Sequence, residues 1–225
     1  MWRTLVLVLL LPGQADDLGE KLFRQMEANL SKAKNFSPSF DINFEEIQTG
    51  KLQGTLASMS GNKARFEMQG KLAGKKGLLL VSDGTRLRFI GKLDDKTEDT
   101  PKKFDELVRA FVSRAGFALA SFVVAFDEKP KDIDAWGVSE FRLSKKEKVG
   151  ERDAQVVQYT LAPKGASGPA PGPFKVTVWL DAETSLPMKR VITGKLEDHK
   201  MTITENYSKM AVDAKLDEKQ FELPK

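Results

Sequence analysis

The sequence predicts an α+β fold in which one antiparallel sheet holds most of the chain. Residues 17–34 carry apolar side chains at helical spacing, and so do residues 101–126. The segments before and after 101–126 instead alternate apolar and polar residues with a period of two, as strands with one buried face do. Because helices and strands do not alternate regularly along the chain, a doubly wound parallel sheet is not expected.

The first fifteen residues predict export. Arg3 supplies a positive charge, the run from Leu5 to Leu11 is apolar, and Ala15 offers a small residue for cleavage. An apolar run this short cannot span a bilayer, which needs about 20 residues. We therefore expect 1–15 to be a signal peptide, rather than a short buried helix, and 16–225 to form a single mature domain in the periplasm without a membrane span.

The composition restricts the classes of function. The chain has no cysteine, so the exported protein has neither disulfides nor the cysteine that bacterial lipoproteins acylate. Its 36 Lys and Arg residues and 32 Asp and Glu residues are interspersed, and the formal net charge is only +4. A nucleic-acid surface needs clustered basic residues with aromatic residues between them, so nucleic acid is not an expected partner.

The first helix and the strands after it each have one apolar face. Residues 17–34 form an amphipathic helix. Alternation then predicts strands whose apolar positions are Phe40, Ile42, Phe44, Leu52, Gly54, Leu56, Ala64, Phe66, Met68 and Leu72. Ser82-Asp83-Gly84 predicts a hairpin turn, since Asp-Gly tolerates positive φ. These spacings indicate an antiparallel meander with one apolar face and one solvated face.

The second half of the chain continues this organisation. Residues 94–103 are polar and predict a linker before an amphipathic helix. Residues 116–126, "GFALASFVVAF", are apolar on nearly every side, so they are either buried all round or cover an apolar surface. Strands then return, and the Pro/Gly-rich residues 163–173 predict a long hairpin connection between two of them. Near the end of the chain, Phe221 and Leu223 are expected to dock on the sheet.

No motif predicts an enzyme. Asp181 and Glu183 lie within "VWLDAETSLPMKR", where Asp181 can accept backbone N–H groups and Pro187 can begin the next strand, so a turn is a better interpretation than an acid/base pair. His199 is the single histidine, and without cysteines it does not predict a metal site. "GKLAGKKG" at 70–77 lacks the spacing and the Ser or Thr of a phosphate loop. We expect no catalytic residue, no metal and no cofactor.

The apolar surface is then the feature that needs an explanation. A curved sheet that the helices cover incompletely would leave a hydrophobic cavity, whereas close packing of the helices on the sheet would leave a filled core. The residue patterns alone do not decide between these two arrangements.

Several phrases resemble the LolA/LolB family of periplasmic lipoprotein carriers in its broad sense. They are the export signal, the helix at 17–34, "LLLVSDGTRLRFI", the helices at 101–126, "VWLDAETSLPMKRVIT" and the closing "TENYSKMAVDAKLDEKQFELP". The resemblance covers essentially the whole mature chain. It implies an open, strongly curved antiparallel sheet, like half a barrel, with helices across its concave face and an acyl chain bound between them. It also implies a lid tethered by an arginine, for which Arg65 is the candidate.

Two functions are expected from this resemblance. The first is a non-enzymatic carrier of the acyl chains of a lipoprotein or another lipid, working as a monomer with an inner- or outer-membrane partner protein. The alternative is an envelope regulatory or scaffold module that binds a protein through the same fold. The expected cavity lining is Phe40, Ile42, Phe44, Phe66, Met68, Phe89, Phe111, Phe117, Phe122, Val176 and Val178. For each of these residues, ordinary core packing is the competing interpretation.

Overall fold

The structure, a computed structural model, describes residues 12–46, 50–74, 77–91, 95–126, 136–164, 173–196 and 199–224. Within these ranges the chain forms two α-helices, α1 (Pro12–Lys32) and α2 (Phe104–Phe126), and twelve strands. The strands are β1 (Asn35–Glu45), β2 (Gly50–Met59), β3 (Lys63–Gly70), β4 (Leu78–Asp83), β5 (Arg86–Ile90), β6 (Asp95–Asp99), β7 (Trp136–Leu143), β8 (Glu147–Val149), β9 (Arg152–Pro163), β10 (Phe174–Asp181), β11 (Pro187–Leu196) and β12 (His199–Val212).

The described strands form one antiparallel sheet with two free ends. Their order is β6-β5-β4-β3-β2-β1-β12-β11-β10-β9-β7, and β8 also pairs with β9. β6 and β7 do not pair with each other, so the sheet stays open and curves into half a barrel. The predicted α+β class and the predicted open antiparallel sheet are both confirmed.

Strand register places two charged residues on the apolar face of the sheet. β1 pairs with β12, which joins the β1–β6 meander to the strands from the second half of the chain. One row of facing residues crosses six neighbouring strands: Leu52, Ile42, Glu205, Arg190, Val178 and Val157. Because paired residues in a row point to the same face of a sheet, Arg190 and Glu205 share the face of the apolar residues beside them.

This apolar face is the concave one, and both helices pack against it. Alternate residues of β1 and β10 are buried in the same core, as their period of two predicts. α1 contacts β7 and β9, where the ring of Phe23 lies 5.2 Å from that of Phe141 and 4.7 Å from that of Tyr159. α2 contacts β2, β3 and β12, across the middle of the sheet.

The end of the chain covers part of the opposite, convex face. A short 3₁₀ turn, Glu218–Phe221, contacts β3 and β4 and buries Phe221 completely. Lys63 of β3 pairs with Glu218 at 2.7 Å. The predicted docking of Phe221 on the sheet is confirmed, and Leu223 after it is partly buried.

Two predicted boundaries are wrong. The polar residues 94–103 predict a linker, but they contain β6, which pairs with β5. All five residues of β6 are exposed, so the strand has no apolar alternation that could reveal it. The first helix begins at Pro12 instead of residue 17, and proline is well suited to a first helical turn.

The structure tests the predictions for the first residues only in part. Residues 1–11 lie outside the described ranges, so the signal peptide at 1–15 stays a prediction. Among the described residues, no helix combines the length and the apolar character that crossing a membrane requires.

Candidate functional site

The structure gathers the predicted lining residues on the concave face. Nine of them are buried members of a single apolar core: Phe40, Ile42, Phe44, Phe66, Met68, Phe111, Phe117, Val176 and Val178. Phe89 is partly buried and packs against the same core. Phe122 belongs to the part of α2 whose side chains lie outside the described ones. These ten residues come from both halves of the sheet and from α2.

Phe117 of α2 occupies the centre of this face. Its ring stacks on that of Phe40 at a centroid distance of 4.1 Å, and it meets the ring of Tyr207 edge-on at 5.7 Å. Phe66 stacks on the other side of this group, 5.8 Å from Phe40. Because these residues are at most 9 % exposed, the interior at this point is filled by the protein's own helix.

α2 is broken just before Phe117. Gly116 has φ 77° and ψ −177°, far from helical values, and divides the helix into a first segment (104–115) and a second segment (117–126). A Cβ atom at Gly116 would lie 2.6 Å from Nη1 of Arg190 and closer still to a carboxylate oxygen of Glu205. Both the positive φ and the lack of space therefore require glycine here.

The carbonyl end of the first segment is bound by Arg190 and Tyr159. Nη1 and Nη2 of Arg190 donate to the carbonyls of Val112 and Ser113 at 2.9 and 2.8 Å. The hydroxyl of Tyr159 donates to the carbonyl of Arg114 at 2.6 Å. The last carbonyls of a helix lack partners within it and carry partial negative charge, so a cation at this end is favourable.

The amide end of the second segment is bound by Glu205. Its Oε1 accepts the backbone N–H of Ala118 at 2.6 Å, and its Oε2 accepts the hydroxyl of Tyr207. Oε2 also lies 4.0 Å from Nη1 of Arg190. A carboxylate is favourable beside the free N–H groups that begin a helix. The two buried charges therefore match the opposite ends exposed by the break.

Electrostatics keep Arg190, Tyr159 and Tyr207 each in a single protonation state near neutral pH. Burial opposes the charge of Arg190, but Tyr159, Tyr207 and Glu205 outweigh it and raise the pKa of the guanidinium. Burial raises the pKa of Tyr159 to about 12 and that of Tyr207 well above its ordinary value. The site thus holds a permanent cation and two phenols that remain hydrogen-bond donors.

A second buried network anchors the start of α2. Oδ1 of Asn62 accepts the N–H of Phe104 at 2.9 Å, and Asp105 accepts the N–H of Asn62 at 3.2 Å. Arg109 donates to Asp105 at 2.8 Å and to Ser58 of β2 at 3.3 Å. The first segment is consequently bonded to the sheet at both of its ends.

Among the described residues, the hydrogen bonds of Arg65 go to Glu67 and Gln220 and none goes to α2, which corrects the expected tether. It alternates with the buried Ala64 and Phe66 along β3 and so lies on the convex face. There it pairs with Glu67 and donates to the carbonyl of Gln220 at 3.1 Å. The arginine that bonds the helix is Arg190, from a strand near the other end of the chain.

Arg190 and Glu205 are absent from the predicted site residues, although the pattern contains a signal for one of them. Met201, Ile203, Glu205 and Tyr207 alternate on one face of β12, so a charge stands at an apolar position. Arg190 gives a weaker signal, because Val191 beside it is also apolar and blurs the alternation of Met188, Arg190 and Ile192. A charge in phase with an apolar face indicates either a buried network or function.

The turn after β10 has the predicted structure. Oδ1 of Asp181 accepts the N–H groups of Glu183 at 3.1 Å and Thr184 at 3.0 Å, and Arg152 donates to its Oδ2 at 3.1 Å. Pro187 then begins β11. Burial alone would raise the pKa of Asp181, but the hydrogen bonds from Thr184 and Glu183 and the charge of Arg152 outweigh it and lower that pKa. Asp181 is held as a carboxylate that shapes the turn.

The similarity to solved structures concerns the fold. The lipoprotein LppX of Mycobacterium tuberculosis is 14% identical, with a TM-score of 0.50 over 90% of this chain and 98% of that one. LprF of Mycobacterium bovis is 8% identical, with a TM-score of 0.50 over 89% and 95%. The LolA superfamily protein NE2245 of Nitrosomonas europaea also matches, with 11% identity and a TM-score of 0.37 over 91% and 97%. The matches to LppX and LprF support the predicted fold.

No curated protein matches the sequence. One family model does match, over residues 19–224, which is nearly the whole chain. The chain therefore belongs to the family described as "Predicted periplasmic protein (DUF2092)".

Proposed function

We propose that the protein is a non-enzymatic periplasmic carrier that binds an acyl chain between the concave face of the sheet and α2. The observation that supports this most strongly is the pairing of a contiguous apolar face with a broken helix that fills it. The bound chain would take the place of the second segment of α2, with Phe40, Ile42 and Val178 in its lining.

The energetics favour a long chain. Burying hydrocarbon contributes about 0.8 kcal/mol per CH₂, so a chain of about 16 carbons gains about 12 kcal/mol in gross transfer free energy. Exposing Phe117 and Leu119, both buried now, costs about 3–6 kcal/mol. The remaining free energy must also offset the translational and rotational entropy that the ligand loses on binding, which is a cost of similar size. A short acyl chain would therefore bind poorly. A carrier could release a long acyl chain to a partner whose binding site excludes water more completely.

The anchoring of α2 supports a motion confined to its second segment. The first segment is bonded to the sheet through Asn62, Arg109, Arg190 and Tyr159. In the second segment, the backbone N–H of Ala118 donates to Glu205 of the sheet. Opening at Gly116 would break this bond and leave the bonds of the first segment intact.

Native mass spectrometry of protein purified from its own periplasm tests the carrier proposal. We expect co-purifying lipid masses, and we expect delipidated protein to take up a fluorescent fatty acid. A clean apo mass together with no uptake would contradict the proposal. Glu183→Gln, an exposed substitution in the turn beside Asp181, serves as the control that should leave uptake unchanged.

The filled interior favours the alternative of an envelope module that binds a protein partner. The stack of Phe117 on Phe40 closes the core at this point. For such a module, the mass spectrum would show the bare chain, and cross-linking in the periplasm would capture a protein partner instead of lipid. Lipid uptake that depends on the second segment of α2 would contradict the alternative.

A further inference from the structure

The buried polar groups behind Gly116 indicate which kind of lipid the protein binds. This inference rests on the proposed carrier function. Arg190 and Glu205 are both fully buried, in a row otherwise formed by Leu52, Ile42, Val178 and Val157. Within the described residues, nothing accepts a hydrogen bond from Nε of Arg190. The helix ends at Gly116 account for Nη1 and Nη2 of Arg190 and for Oε1 of Glu205, but they leave this Nε donor without a partner.

Displacement of the second segment of α2 would change the two charges differently. Arg190 would keep the carbonyls of Val112 and Ser113, which belong to the anchored first segment. Glu205 would lose the N–H of Ala118. A hydrogen-bond donor is then missing at Glu205, and an acceptor is still missing at Nε of Arg190. Leaving such groups unpaired inside an apolar site is costly, so a suitable ligand supplies both.

We propose that Arg190 and Glu205 form a polar subsite for the amide group of an amide-linked acyl chain. The amide N–H of the ligand donates to Glu205 in place of the Ala118 N–H, and the amide carbonyl accepts from Nε of Arg190. The amide N–H of the ligand thus replaces the backbone N–H of Ala118. An ester offers the carbonyl without the N–H, and a plain hydrocarbon offers neither. A peptide also carries amides, but the neighbouring Ile42, Val178 and Phe40 favour a hydrocarbon chain.

Two ligands that differ by one group test the subsite. N-ethylhexadecanamide and ethyl hexadecanoate have the same length and shape, and differ in having N–H or O beside the carbonyl. Each is titrated against a fluorescent fatty acid bound to the wild-type protein. We expect the amide to bind at least about tenfold more tightly, because the lost hydrogen bond would involve a charged group.

A double variant and a matched control locate the effect. Arg190→Met with Glu205→Leu removes both charges together, which leaves no unpaired charge and often preserves folding. It should bind the two ligands equally. Asp105→Leu with Arg109→Met removes a buried ion pair within α2, 2.8 Å apart, which lies at the start of the helix. That control should retain the preference for the amide.

The outcomes separate this inference from the carrier proposal. Equal binding of amide and ester to the wild-type protein overturns the subsite and leaves the carrier function standing, and this result does not depend on how any variant folds. A preference that survives the loss of Arg190 and Glu205 also overturns the subsite. Failure of both ligands and of the fluorescent fatty acid to bind overturns the carrier function together with the subsite.

Discussion

Arg190 and Glu205 are adjacent in register, but their positions are set by α2 as much as by each other. Their closest charged atoms are 4.0 Å apart, whereas Arg190 lies 2.8 Å from a helix carbonyl and Glu205 lies 2.6 Å from a helix N–H. The direct hydrogen bonds therefore go to the helix. This arrangement assigns each sign of charge to one side of the break at Gly116.

We predict that the two charges cannot be exchanged. Arg190→Glu with Glu205→Arg keeps an ion pair, but it directs a carboxylate at helix carbonyls and a guanidinium at an N–H group. Removing one partner of a buried pair costs about 3–5 kcal/mol, and the exchange should cost at least as much in unfolding free energy. Urea unfolding followed by circular dichroism measures the loss. Wild-type stability in the exchanged variant would show that helix ends are unimportant here.

Gly116 should tolerate a side chain much less well than a glycine at a similar φ elsewhere. Gly150 has φ +62°, and nothing lies within 4 Å of the place that a Cβ atom would take, so Gly150→Ala adds only backbone strain of about 1 kcal/mol. Gly116→Ala adds at least this strain, because a φ of 77° with a ψ of −177° is a conformation almost restricted to glycine, and it adds a clash with Arg190 and Glu205. We expect it to destabilise the protein by about 2 kcal/mol more, measured by urea unfolding. Equal losses in the two variants would contradict the close approach.

Asp181 should contribute stability that depends on pH. Its pKa is lowered in the folded protein, so the contribution is present above the ordinary unfolded value of about 3.9 and is lost as the pH falls through the folded value. Asp181→Asn should cost about 1 kcal/mol near pH 7, and the difference from the wild type should shrink as the pH falls from about 5 to 2. Urea titrations at several pH values test this. A difference that stays constant with pH would rule out the carboxylate as its source. Glu183→Gln is the control, and it should change the free energy of unfolding very little.

At the scale of the elements, α2 combines an anchored segment with one that fills the concave face. The two differ in how they are held: networks around Arg109 and Arg190 bond the first, whereas the contact of the second includes the stack of Phe117 on Phe40. Local opening free energies depend on such differences.

Hydrogen exchange should distinguish the two segments of α2. We expect amides of 117–126 to exchange faster than those of 104–115, because their opening breaks fewer polar contacts. Exchange measured by mass spectrometry on peptides from each segment gives the comparison. The amides of α1, which buries Phe23, Met26 and Leu30, provide the internal reference. Equal protection of the two segments would contradict a hinge at Gly116.

The sequence predicted elements where the local pattern matches the burial, and failed where tertiary context decides. The alternate residues Phe174, Val176, Val178 and Leu180 predict β10 and its buried face correctly, because a half-buried strand must alternate. β6 escaped prediction because its five exposed residues gain their structure from pairing with β5. The choice of Arg65 as the tether rests on the family resemblance alone. No local pattern predicts the register that brings Arg190 to α2.

Ten of the eleven predicted lining residues share one core, but which side chains face inward was easier to predict than whether they enclose a cavity. Alternation identifies which side chains face inward. Whether an inward face lines a cavity or packs against Phe117 depends on where α2 breaks and how closely it approaches, and Gly116 alone gives little warning of either. The polar pair beneath it needed the pairing of β11 with β12 to become visible.

At the scale of the whole molecule, the two ends of the sheet are protected differently. α1 packs against β7, whereas β6 presents an open edge formed by "DKTED". Charged edge strands resist pairing with another copy, since like charges would have to approach. The protein is expected to remain a monomer for this reason.

Removing charge from β6 should produce association. Lys96→Val with Glu98→Val makes the exposed edge apolar, and we expect dimers or larger species at concentrations where the wild type sediments as a monomer. Sedimentation velocity over a concentration series measures this. Lys175→Val with Thr193→Val places the same number of valines at exposed positions on interior strands and should not associate. Monomeric behaviour of the edge variant would contradict the protective role.

The pairing of β1 with β12 has a consequence for the order in which the molecule can form. Phe44 lies beside Ile203, so the seam in the middle of the sheet joins residues that are far apart in the chain. The meander from β1 to β6 can assemble from local contacts. The edge of this meander formed by β1, however, finds its partner only when β12 has been synthesised. A nascent chain therefore carries an incomplete sheet until β12 has emerged, and loss of β12 would leave two half-sheets, each with an apolar face and an unpaired edge.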